Sequence, residues 1–123
     1  MLKSYFTYTA IIEGLTGLAC IVIPGTVALL LFQADLNEPI GTLFAMIAGS
    51  AILALAIASW LVRKNKDNAV LSKVLIFYNF LIALVLLYGI LALGFKGFVL
   101  WGVIIFHLFQ TVTGIRIIQK NKI

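Results

Sequence analysis

Glu13 is the residue from which chemistry would start, because it lies in an apolar run, positions 5–24, that holds no other charged side chain. An ionisable group at membrane depth costs about 2.5 kcal/mol or more to insert, so it marks a place where something is bound, a proton is handled, or a polar network is closed. Thr9, Thr16, Gly17 and Cys20 recur around it at helical spacing and give this segment one polar, small-residue face. At about 1.5 Å of rise per residue, Glu13 sits about 12 Å from the N-terminal end of such a helix.

Two later apolar runs carry further polar groups. Asn79 lies near the start of one, and His107, Gln110, Thr111 and Gly114 follow an i, i+3, i+4, i+7 pattern in the other, which puts them on one helix face. If successive spans alternate in direction, Gln110 falls nearly level with Glu13, and His107 one turn farther toward the outer side. The spacing therefore predicts a ligand- or proton-binding layer of Glu13, Asn79, His107 and Gln110, supported by Thr16, Gly17 and Thr111. Two readings of that layer stand side by side. It is either a structural network that satisfies Glu13 and fixes helix register, or a site at which a ligand competes with a proton. A lone histidine is more often hydrogen-bonded structure than a ligand.

Other chemistries lack their residues. A transmembrane haem takes two axial side chains, and the chain has one His; zinc-like sites fail because Cys20 and His107 have no clustered companions. No Gly-rich phosphate loop, nucleophile elbow or CxxC pair is present. The expectation is thus no enzyme, no metal and no cofactor. The single cysteine cannot close an intrachain disulfide.

The elements that must position these residues follow from composition. The chain has 123 residues, 63% of them hydrophobic and 11% charged, far outside the soluble average. Four acidic and nine basic residues could not coat a water-soluble globule, but they suffice for the short loops of a membrane protein. About 20 apolar residues cross about 30 Å of hydrocarbon, and four such stretches occur, near 5–24, 40–62, 73–94 and 97–118. The predicted fold is all-α, one integral membrane four-helix bundle over 1–123. Pro24-Gly25 is a helix-stopping pair, and the apolar segment 26–33 after it is too short to cross, so it is expected at the outer interface.

Orientation follows from Lys and Arg, which cytoplasmic loops retain in excess. Lys3, Arg63, Lys64, Lys66, Lys73, Arg116, Lys120 and Lys122 fall on one side of a four-span arrangement and only Lys96 on the other, eight against one. Both termini are therefore expected inside, with Asp35 and Glu38 outside. Tyr5, Tyr8 and Trp60 near inner helix ends, and Phe95, Phe98 and Trp101 near outer ones, fit aromatic belts. The +5 net charge reads as topology and anionic-lipid contact; no aromatic-basic interleaving suggests a nucleic-acid surface. Small residues, Thr7, Ala10, Gly14 and Gly17 on the first helix and Gly41, Ala45, Ala48 and Gly49 on the second, let helices approach closely within a chain or in a homo-oligomer.

Two resemblances are carried by these residues. Ile11-Ile12-Glu13-Gly14 is similar in position to the membrane-embedded Glu of small multidrug resistance transporters, but positions 75–87 lack that family's tryptophan-bearing motif and the charge bias departs from its pattern. Over nearly the whole chain, Glu13 to Gly17 followed by Pro24, the alanine-rich second helix ending in Trp60 before Arg63, Tyr78-Asn79, and Trp101 with His107 resemble small bacterial DoxX-like four-helix membrane proteins. That resemblance implies a multi-pass protein of the bacterial inner membrane and no particular activity. The function expected is binding or passage of a small ligand, ion or proton around Glu13. The alternatives are a non-catalytic scaffold or accessory subunit with a structural polar layer, and a redox accessory for quinone or haem.

Overall fold

The computed structural model describes residues 2–65 and 69–121, and these form five helices with no strand among them. They are α1 (Leu2–Val22), α2 (Pro24–Phe32), α3 (Pro39–Val62), α4 (Ala69–Leu91) and α5 (Phe98–Asn121). Four of them, α1, α3, α4 and Phe98–Lys120 of α5, are long and apolar enough to cross a bilayer. Leu15, Phe44, Leu61, Val85 and Phe109 project outward from these helices and stay exposed, which hydrocarbon tolerates and water would not. The chain is an all-α, multi-pass membrane protein, with spans close to those hydropathy predicts. Lys66 and Lys122, which contribute to the charge bias, lie outside the described residues.

The largest shift in a boundary is at α4, which begins at Ala69 rather than near 73. Ser72 is buried and Lys73 exposed, so the pair that interrupts the hydropathy sits on two sides of one helical turn. The chain divides into two compact units, Met1–Asn65 and Lys66–Ile123.

In the first unit α1 and α3 run antiparallel. Gly14 faces Ala56, Gly17 faces Gly49 and Leu53, and Cys20 faces Gly49. A Cβ on Gly17 would lie 2.7 Å from both the Gly49 carbonyl oxygen and the Leu53 amide nitrogen, so the two backbones touch where side chains are missing. The segment after Pro24 is the nine-residue helix α2, too short to cross, packed on α1 and α3 with Ala28 buried. Only Ile23 separates it from α1. Pro24 ends α1 because it has no N–H to offer the Cys20 carbonyl, and it begins α2 because its fixed φ suits the first helical position. Gln33 then closes α2 in the left-handed region, φ 52°, with its N–H donated to the Leu29 carbonyl at 3.0 Å.

In the second unit α4 packs on α5. Their connection turns through Gly94, φ 72°, and the Phe95 N–H donates back to the Gly89 carbonyl at 3.1 Å. The Phe95 ring fills the space a Gly89 side chain would take, 3.3 Å from that Cβ position.

Candidate functional site

On α1 the buried stripe is Tyr5, Thr9, Glu13 and Gly17, spaced by four, with Phe6 and Ala10 beside it. A period of 3.6 keeps residues four apart on nearly one line, so three polar side chains turn away from lipid together. Glu13 is 3% exposed at mid-span. One turn farther on is Gly17, locked in the backbone contact with α3, so the segment carrying Glu13 cannot slide against α3 without breaking that contact. Thr16 is exposed on α1, whereas Cys20 is half-buried beside Gly49.

The second unit brings two predicted residues into contact. Asn79, fully buried on α4, donates from Nδ2 to the Leu75 carbonyl at 2.7 Å. Its Oδ1 is therefore the acceptor, and it lies 2.7 Å from Nδ1 of His107 on α5. Neutral His107 thus carries its hydrogen on Nδ1, which leaves Nε2 as the lone-pair nitrogen. The imidazole is held between ring edges: Tyr78 at 6.0 Å and 81°, Phe106 at 5.5 Å and 71° between centroids and planes. The Thr111 hydroxyl donates to the His107 carbonyl at 2.9 Å, one turn back along α5. His107, Gln110, Thr111 and Gly114 are all buried, so the face that the spacing predicts does point inward.

Of the predicted residues, then, Asn79 and His107 are bonded, Thr111 is tied to His107 through the backbone, and Gln110 shares their buried face. Glu13 and Gly17 are buried in the first unit and Thr16 is exposed there. Among the described residues four buried polar ones lie outside that set, the first being Thr9 of the α1 stripe. Ser59 donates to the Leu55 carbonyl at 2.8 Å, Ser72 lies on the α4 face that also buries Leu75 and Asn79, and Tyr5 faces inward, its hydroxyl without a hydrogen bond among the described residues. Spacing by four from Glu13 would have found Tyr5, which its nearness to a helix end assigns to an interfacial belt.

Among the described residues no three of His, Cys, Asp and Glu cluster as a metal site would require. The arrangement can accept and donate hydrogen bonds and exchange a proton within an apolar surround. Comparison with protein-family models, with curated proteins and with solved structures returns no match.

Proposed function

We propose that this chain is a small protein of the bacterial inner membrane, both termini inside, that binds or passes a small ligand, ion or proton at polar groups centred on Glu13. The observation that carries this reading is a carboxyl group 3% exposed at the middle of a 21-residue span. Insertion of such a group is costly, and a purely architectural need for polarity is met more cheaply by Asn, Gln or Ser. Of the chain's acidic residues, Glu13 alone lies within a described span. The eight-to-one distribution of basic residues supports the orientation, and the resemblance to DoxX-like proteins supports the membrane.

Native mass spectra of the gently extracted chain and of Glu13→Gln test the reading, because the amide keeps the shape and removes the titrating group. The expected result is a discrete adduct that is not a membrane lipid, present in the parent and absent from Glu13→Gln, with the two proteins melting within a few degrees of each other. The same bare chain from both, together with proton uptake that Glu13→Gln leaves unchanged, would remove the proposal. A scaffold reading is favoured by a different observation, the Leu75–Asn79–His107 chain of hydrogen bonds, which ties α4 to α5 through side chains of the chain itself.

A further inference from the structure

Between α1 and α3 the first unit leaves an open apolar groove of about 220 Å³. Its floor is Ala10, Gly14 and Ala56, small residues buried or half-buried; its walls are Ile11, Ile57 and Trp60, each about half exposed. Leu53 closes it at one end. At about 1.5 Å per helical residue, the groove runs about 10 Å along α3 from Trp60 to Leu53. Taking about 30 Å³ as the share of a water-sized group, it has room for about seven methylenes in a row.

The other end of the groove is charged. The Arg63 guanidinium carbon lies 3.4 Å from the centroid of the Trp60 ring, and Nη1 donates to the Trp60 carbonyl. Held over the indole and tied to the Trp60 carbonyl, the guanidinium is pre-ordered, and it carries five N–H donors in a planar fork suited to phosphate. Because α1 and α3 are antiparallel, Lys3 and Lys64, both exposed, lie at this same end of the pair. Asp35 and Glu38 lie at the opposite end, between α2 and the start of α3.

We infer that this groove and its basic rim form a binding site for one anionic phospholipid, an acyl chain lying over Gly14 and Ala56 and the phosphate at Arg63. The charge complementarity is specific to this end of the unit, and the groove has the cross-section of one hydrocarbon chain because alanine and glycine stand where larger residues would fill it. The site is independent of Glu13, which faces inward from another side of α1.

The test is retention of phosphatidylglycerol against phosphatidylcholine of identical acyl chains, each reconstituted with the full chain in mixed nanodiscs and counted by native mass spectrometry. One phosphatidylglycerol per chain is expected to survive extraction. Arg63→Gln should weaken it about fivefold, the effect of one basic residue near the bilayer surface, and leave chain packing alone. Gly14→Leu should displace it, since a Cβ there meets only the Ala56 methyl at 3.7 Å and the rest of the side chain enters the groove. Glu13→Gln should retain it, which separates this site from the proposed function. Equal retention of the two lipids, or retention unaffected by Arg63→Gln and by Gly14→Leu in a variant whose circular dichroism matches the parent, would overturn the assignment. So would a change in subunit number on Gly14→Leu, because the groove would then seat a second copy of the chain.

Discussion

The two units each hold a pair of span-length helices together, by opposite means. In the first, α1 and α3 touch through missing side chains: Gly17 and Gly49 bring carbonyl oxygens to where a Cβ would stand. In the second, α4 and α5 are joined by side chains that are present, the amide of Asn79 and the imidazole of His107 at 2.7 Å. Lipid tails are as apolar as the helices, so neither pair gains from excluding water, and each relies on close packing or on polar contact. A contact made by backbone is intolerant of added volume and indifferent to chemistry. A contact made by a hydrogen bond tolerates some change in shape but depends on which atoms carry hydrogens.

The sharpest way to break this comparison is to add one methyl group to the first seam. Gly17→Ala and Gly49→Ala each place a Cβ 2.7 Å from backbone atoms that cannot rotate away, and each should destabilise the chain by about 1–3 kcal/mol or more. Gly14→Ala, with its Cβ 3.7 Å from Ala56, should be neutral or slightly stabilising, within about 1 kcal/mol, because alanine favours a helix over glycine. Thermal unfolding in detergent, followed by helical circular dichroism, reads all three. If Gly17→Ala melts with the parent, the seam is not a backbone contact.

A smaller effect is expected from the second seam. Asn79→Ala and His107→Ala should each cost about 1 kcal/mol, with a coupling energy in the double variant of about 0.6 kcal/mol and not above about 1.7. The chemical signature is more telling than the stability. Nitrogen-15 spectra of neutral His107 should show the hydrogen on Nδ1 in the parent and a mixture of tautomers in Asn79→Leu, which offers no acceptor. An unchanged tautomer in that variant would mean that something other than Asn79 orients the ring.

The sequence makes these two seams legible to different degrees. Hydropathy finds the four spans because a run of apolar residues is a local property, and the i, i+3, i+4, i+7 face of His107 holds because helical periodicity is local too. Partners are not local. The glycine stripes on α1 and α3 suggest close approach, yet only the three-dimensional pairing shows that Gly17 meets Gly49 while Gly14 meets Ala56 with room to spare. Thr16 and Tyr5 show the same limit: helix rotation is set by packing, so a threonine three residues from Glu13 is exposed and a tyrosine near a helix end is buried. Pro24 illustrates ambiguity of another kind, since the residue that stops one helix is also well suited to start the next, and the sequence shows only the stop.

The mildest contrast lies in the turns, where each unit reverses or ends a helix through a left-handed residue. The second unit uses Gly94 at φ 72°, the first uses Gln33 at φ 52°. Left-handed backbone costs an L side chain about 1–2 kcal/mol, and glycine nothing, although glycine gives back part of that advantage through greater freedom in the unfolded chain. Gly94→Ala should therefore lower stability by about 1 kcal/mol, and the reciprocal change Gln33→Gly should raise it by less than that. The opposite signs are the test, since both substitutions alter a single loop residue and neither touches a seam. Should Gln33→Gly destabilise instead, the glutamine side chain contributes more at the end of α2 than its backbone strain removes, and α2 would be anchored by Gln33 as well as by the buried Ala28.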